Sequence, residues 1–260
     1  MWWRNPVPKD VRAVVEALER LPKGVKKFGG VDGLCRAFAG LVDHTLLKPE
    51  AQADDVRRAC EDAARCEFAA LVVNPCFVAR AAERLRGTEV RVATVAGFPL
   101  GASTTDVKRL EVERGLEDGA GEIDMVIHVG ALKAGEDDAV EEEIRELAEL
   151  CHRRDALLKV ILECALLTDK EKRRGAKLAV RAGADFVKTS TGFGPGGATA
   201  ADVALLRAAV GDDAGVKAAG GIRTLAEAAG LLAAGASRLG MSASTSILDE
   251  LRGRASKQAT

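Results

Sequence analysis

Asp185-Phe186-Val187-Lys188-Thr189-Ser190-Thr191-Gly192 is the stretch on which the reading of the chain turns. Its β-branched and hydroxyl-bearing residues, closed by a glycine turn, predict a short buried β-strand. A lysine at the centre of such a strand is costly, because loss of water disfavours the ammonium form. Taken alone it reads as a side chain that snorkels to the surface or pairs with a carboxylate. A second lysine in the same setting changes the weighing: Lys217 in Gly215-Val216-Lys217-Ala218-Ala219-Gly220-Gly221. Two lysines near the centres of successive interior strands suggest one amine used as a nucleophile and one that tunes it.

Outward from these segments the chain alternates strand and helix from Leu41 onward. Predicted strands are 41–47, 68–74, 90–97, 122–129, 157–163, 185–191, 215–220 and 238–242, with helical stretches rich in Ala, Glu, Arg and Leu between them. Strand starts fall roughly 22 to 35 residues apart, a regular βα period. Eight such units predict a (β/α)8 TIM barrel over 41–260, with a doubly wound open sheet as the alternative. Ser103 with Thr104, Thr168 with Asp169, and Thr199 are placed to cap helix starts.

Residues 1–40 form an N-terminal helical extension. Val11, Val14, Val15 and Leu18 share one helix face, with Asp10 as N-cap and Pro22 after the end. Val31, Leu34, Cys35 and Phe38 repeat the pattern after Gly29-Gly30. Two short helices are expected, covering one end of the barrel or joining a partner subunit. Trp2, Trp3 and the apolar faces favour the interface, so a homo-oligomer, dimer or tetramer, is expected.

Composition narrows the function. The 260 residues are 47% hydrophobic, ample for a full core. A net charge of -1 and a pI near 6.4 leave no basic footprint for nucleic acid or an anionic membrane surface. No apolar run approaches the ~18 residues of a membrane span, and Met1 to Pro6 lack a signal-peptide core, so a cytoplasmic location is expected. The six cysteines show no Cys-x-x-Cys pair and read as reduced thiols rather than a zinc site. Scarce Asn and Gln beside 30% charged residues resemble heat-adapted proteins, or reflect a GC-rich genome.

In a barrel, the strand ends that feed the following loops form the active face. Asp43, His44, Thr45, Asn74, Thr94, Asp124, Glu163, Lys188, Thr191, Lys217 and Ser242 stand at those positions. A Schiff-base lysine must be neutral, so a pKa near 10.4 must fall by roughly 2 to 3 units. Burial and a neighbouring cation both act in that direction. Strands ~4.8 Å apart bring Lys188 and Lys217 close enough, although spacing does not say which is the nucleophile. Asp124 alternates with Ile123 and Met125 and reads equally as a proton-transfer group or as a neutralising partner for a lysine. Asp43 could simply brace a loop.

Gly220-Gly221-Ile222-Arg223 follows the seventh strand, and Gly240-Met241-Ser242 closes the eighth. Glycine lets backbone amides approach an anion, and barrel phosphate sites recur at these two loops. Gly192-Phe193-Gly194-Pro195-Gly196-Gly197 formally satisfies G-x-G-x-x-G. The acidic residues about 20 positions on, Asp212 and Asp213, precede the next strand instead of ending it, so the loop is read as wrapping a substrate. His128 is placed in an inward register and His152 on a helix surface. No metal-ligating cluster is present, and imine chemistry needs neither metal nor cofactor.

Taken together these segments resemble the deoxyribose-phosphate aldolases. The resemblance is carried by Asp43-His44-Thr45-Leu46-Leu47-Lys48-Pro49, Val72-Val73-Asn74-Pro75, Val95-Ala96-Gly97-Phe98-Pro99-Leu100-Gly101, Glu122-Ile123-Asp124-Met125-Val126-Ile127, Val187 to Phe193, Val216 to Arg223 and Arg238 to Ser242. It implies a class I aldolase that reversibly cleaves 2-deoxy-D-ribose 5-phosphate to D-glyceraldehyde 3-phosphate and acetaldehyde. It also implies Lys188 as the imine-forming residue, Lys217 as the neighbour lowering its pKa, and Asp124 as the proton-transfer carboxylate. Asp43 would lie near the sugar hydroxyls and Gly192, Gly220, Gly221 and Ser242 on the phosphate-binding face; Thr45, Thr191, Arg223 and Gly240, from their places at the strand ends and loops, are further candidate substrate contacts. Three positions depart from the family pattern: Val72 where cysteine is common, Ala243 where a second serine often stands, and His128 for a frequent asparagine. Another Schiff-base barrel aldolase or transaldolase shares these features, and a non-catalytic phosphate-binding barrel would keep its lysine protonated.

Overall fold

The computed structural model describes residues 11–259. Eight strands, β1 (Val42–Leu46), β2 (Ala70–Val73), β3 (Arg91–Ala96), β4 (Glu122–Val126), β5 (Leu157–Ile161), β6 (Phe186–Lys188), β7 (Gly215–Ala219) and β8 (Arg238–Met241), close into a barrel in chain order. All neighbours run parallel, and the ring shuts where Val42 pairs with Leu239 and Asp43 with Gly240. Three helices precede β1: α1 (Val11–Glu19), α2 (Leu21–Lys27) and α3 (Val31–Ala39). The connecting helices are α4 (Ala53–Cys66), α5 (Val78–Arg84), α6 (Thr105–Glu117), α7 (Val129–Ala134), α8 (Asp137–Arg153), α9 (Asp169–Arg181), α10 (Ala200–Val210) and α11 (Leu225–Ala233). The last, α12 (Ser244–Ala259), follows β8.

Caps explain several of these boundaries. The Thr168 hydroxyl accepts from Glu171 N while the Glu171 carboxylate reaches back to Thr168 N, a reciprocal box that opens α9. Thr224 and Glu227 form the same reciprocal box at the start of α11, and the Thr199 hydroxyl alone caps α10 by accepting from Asp202 N. Thr104 precedes α6 in extended conformation, but its hydroxyl makes no cap bond.

All eight strands are shorter than the apolar pattern predicts, and in β6 and β4 the cause is a side chain. β6 stops at Lys188, where the Thr189 hydroxyl takes over bonding to the β7 backbone. Thr189 Oγ1 donates to Ala219 O at 3.2 Å and accepts from Ala219 N at 3.1 Å. β4 stops at Val126 because His128 turns the chain: its Nδ1 accepts from Ala131 N at 3.0 Å and caps α7. The inward register expected for His128 is therefore incorrect.

Among its described residues the extension holds three helices where two were expected. Pro22 stands in the first turn of α2, where its missing N–H is harmless, so it starts a helix as well as following one. Asp10, Trp2 and Trp3 lie outside the described residues. Val14, Ala17, Leu34 and Phe38 are fully buried in the same core as the barrel's outer layer, with α1 against α11 and α3 against α12. Those apolar faces are thus occupied within the chain. Phe38→Ala should cost about 3–5 kcal/mol through the cavity it leaves. The expected readout is a lower thermal midpoint with an unchanged rate per folded molecule.

Alternate strand residues point into the barrel, and the interior is divided by polarity. On the β1–β3 side, Leu47, Ala70, Val72, Ala93 and Val95 form an apolar cluster with Phe98 packed on it. Strands β4 to β8, with Asp43 of β1, supply charged groups, and the site lies between the two.

Candidate active site

Register brings the charges together. Lys188 pairs with Lys217 across β6 and β7, Lys217 with Arg238 across β7 and β8, and Asp124 with Lys159 across β4 and β5. Asp43, Asp124, Lys159 and Lys217 have no accessible surface, so each needs compensation from its neighbours. Asp124 is the hub. Its Oδ2 accepts from Lys188 Nζ at 2.8 Å and from Lys217 Nζ at 2.7 Å, while Oδ1 accepts from Lys159 Nζ at 2.8 Å. Lys159 also reaches Glu122 Oε2 at 2.5 Å and Asp43 Oδ2 at 3.4 Å. Asp43 Oδ2 is bound by Lys217, and its Oδ1 accepts from Arg238 Nη1 at 2.6 Å. Arg238 lies 3.4 Å from Glu122 Oε2 and 5.4 Å over the Phe186 ring.

These contacts separate the lysines. Lys159 meets three carboxylates, Lys217 two and Lys188 one. Burial foremost pushes the Lys188 amine down from its ordinary 10.5 to about 8; Lys217 and Lys159 push the same way, and Asp124 opposes them. For Lys159 the balance is reversed: burial disfavours its charge, but Asp124, Asp43 and Glu122 together raise its pKa. Burial likewise opposes ionisation of Asp124, yet Lys159, Lys188 and Lys217 hold its carboxyl well below the usual range. Asp43 is held low against burial by Lys159, Lys217 and Arg238.

A cavity of about 250 Å³ opens above this cluster. Lys188, Thr45, Thr191, Gly192, Gly220, Gly221, Arg223, Gly240 and Ser242 line it. Asp43, Asp124 and Lys217 are not in its wall; they lie beneath Lys188. Asp43, expected near the sugar, is instead engaged entirely with cations, because barrel closure sets it beside β8. The Thr45 hydroxyl donates to Asp43 O at 3.0 Å.

The loops over the cavity are built from glycine for steric reasons. A Cβ on Gly197 would fall 2.3 Å from Gly220 O, and Gly192, Gly220 and Gly221 all have positive φ. The G-x-G-x-x-G segment therefore serves close packing of two active-face loops. A Cβ on Gly240 would sit 2.9 Å from Lys217 Cε, so this glycine makes room for the lysine. Glu163 fastens the same loop: its Oε2 accepts from Thr191 N at 3.1 Å and from the Thr191 hydroxyl. Val72, at the family's cysteine position, belongs to the apolar wall.

Lys159, Glu122, Arg238 and Lys48 are not among the predicted site residues. Lys48 is an exposed cation in the cavity wall. Lys159 was marked by the same signal as Lys188, a lysine centred in an apolar strand, Leu157-Leu158-Lys159-Val160-Ile161.

A closed parallel barrel with a buried amine at the mouth of a polar cavity, beside a shared carboxylate, defines a lysine-centred barrel enzyme. The DeoC/LacD family aldolase model matches residues 38–248, and the chain belongs to that family. It is 52% identical over 217 residues to deoxyribose-phosphate aldolase 2 of Bacillus licheniformis, covering 84% of this chain and 97% of the relative. Identity to the deoxyribose-phosphate aldolase of Bacillus cereus strain AH187 is 54% over 211 residues, 81% of this chain and 94% of that one. Among solved structures, a deoxyribose-phosphate aldolase from Aeropyrum pernix, described as a unique tetramer, superposes with a TM-score of 0.81 at 32% identity. That match covers 94% of this chain and 98% of the other.

Proposed function

We propose that this aldolase reversibly cleaves 2-deoxy-D-ribose 5-phosphate to D-glyceraldehyde 3-phosphate and acetaldehyde through an imine on Lys188. The observation that carries the assignment is that, of Lys159, Lys188 and Lys217, Lys188 lines the cavity and has the fewest counter-charges. The neutral amine attacks the C1 aldehyde of the open-chain sugar, and loss of water gives the iminium ion. Removal of the C3 hydroxyl proton lets the C2–C3 bond break, its electron pair passing to the iminium nitrogen. Glyceraldehyde 3-phosphate leaves, the enamine is protonated at C2, and hydrolysis frees acetaldehyde and Lys188. Asp124, held ionised beneath Lys188, acts as the proton acceptor through a water in the cavity, and the Lys217 ammonium sharing its Oδ2 returns the proton.

The glycine loops with Arg223, Lys48 and Ser242 receive the phosphate. Arg223→Ala should raise KM for the phosphorylated sugar about tenfold, the size of one charge-assisted contact. KM for unphosphorylated 2-deoxyribose should be unchanged. Residues 11–40 are assigned as a brace on the barrel, self-assembly is expected as in the Aeropyrum relative, and the enzyme is placed in the cytoplasm. Among the described residues no helix is long and apolar enough to cross a membrane.

The deciding experiment incubates the protein with acetaldehyde and borohydride, maps the adduct by mass, and compares cleavage of deoxyribose 5-phosphate with fructose 1,6-bisphosphate. An adduct on Lys188 and turnover of the former are expected. Absence of the adduct, or preference for the bisphosphate, would overturn the assignment.

A further inference from the structure

The ion-paired side chains under the cavity comprise four cations and three carboxylates. One positive charge is therefore left without a counter-charge among side chains that are almost wholly buried. A buried group in that position loses its charge, because the neutral form is cheaper to bury. Contacts decide which group this is, and Lys188 has the fewest. Two members of the cluster fix that count without lining the cavity. Glu122 bonds Lys159 and lies beside Arg238, while Arg238 holds the outer oxygen of Asp43. Glu122 thus fastens the proton on Lys159, and Arg238 draws Asp43 away from complete use by the lysines.

We propose that Glu122 and Arg238 are positioning residues for the imine chemistry, an opposed pair of charges beneath the site that sets the pH at which Lys188 becomes a free amine. The inference rests on the Schiff-base reading of Lys188. The groups facing Lys188 are Asp124 from β4, Lys159 from β5 and Lys217 from β7, with Asp43 of β1 behind them. Arg91 of β3 is close enough to be influenced by Glu122, Arg238 and Asp185, and Glu163 at the end of β5 is engaged with Thr191. The inward residues of β2, Ala70 and Val72, are apolar.

The test uses the full chain, acetaldehyde as probe and cyanoborohydride as trap, and follows the rate of Lys188 labelling by mass from pH 6 to 10. Acetaldehyde carries no ionising group, so the profile reports the protein. Glu122→Gln removes a negative charge and should move the midpoint to lower pH; Arg238→Met removes a positive one and should move it to higher pH. Each shift should be on the order of one pH unit, the scale on which a neighbouring unit charge moves a buried amine. Arg238→Lys should restore the wild-type midpoint. A merely structural role would lower the melting temperature or the labelling yield of both variants without opposite shifts, and that result overturns the inference. Should Glu122→Gln not fold, the Arg238→Met and Arg238→Lys pair decides alone. Failure of the wild-type protein to label Lys188 at any pH would overturn the imine reading itself and this inference with it.

Discussion

Lys188→Leu is expected to abolish aldol cleavage, by on the order of 10⁴-fold or more, while leaving a folded and slightly stabilised protein. The loss follows from chemistry: Lys48, the other amine in the cavity wall, is exposed and is not an ion-pair partner of Asp124, so no imine forms beside the proton acceptor and the breaking C–C bond has no electron sink. The stability expectation follows from charge. Lowering the Lys188 pKa from 10.5 to about 8 means that its ammonium form costs about 3 kcal/mol in the folded state below pH 8. The unfolded chain binds that proton up to pH 10.5, so the folded protein gains stability from this group as pH rises from 8 to 10.5. Leucine removes the penalty and leaves three cations facing three carboxylates. The variant should melt above the wild type at pH 7, and the difference should shrink toward pH 10. A variant that melts lower at pH 7 would show that the buried ammonium is adequately compensated after all.

Much of this was legible before the fold was known, and the reasons for success and failure differ. The βα period and the lysines of β6 and β7 could be read because each signal is local: an apolar strand with one charge at its centre. Lys159 carries the same local signal and was open to the same argument. Glu122 and Arg238 were not legible. Each begins a strand, where a charged residue is unremarkable, and only closure of the ring sets β8 beside β1 and carries Arg238 to Asp43 and Glu122. The same closure explains Asp43: a polar residue ahead of a loop reads as a substrate contact until β8 covers it. Hydroxyls misled the reading of β6, since Thr189 looks like strand but bonds across to Ala219. Pro22 misled the extension because proline both ends one helix and starts another.

Asp124→Asn is expected to separate capture of the carbonyl from breakage of the bond. The carboxylate bonds three lysines, and an amide of the same shape cannot accept from all of them; its NH2 must face at least one ammonium. The cluster then holds four cations against two carboxylates, which pushes the Lys188 amine further down. A larger fraction of Lys188 is therefore free at neutral pH, and trapping of acetaldehyde should persist with its midpoint moved to lower pH. Turnover of the sugar phosphate should nevertheless fall by about 10²–10⁴-fold, because the acceptor for the C3 hydroxyl proton is gone. Stability should fall as well, by about 3–5 kcal/mol, since buried cations lose their shared partner, less whatever deprotonation of a lysine recovers. Asp124 is depressed in the folded state, so its stabilisation is present at every pH above its unfolded value near 3.8 and disappears only in strong acid. The melting gap between variant and wild type should accordingly hold from pH 5 upward and narrow only below pH 4. Equal loss of trapping and turnover would mean that Asp124 serves to present the amine and moves no proton; retained turnover would remove it from the chemistry altogether.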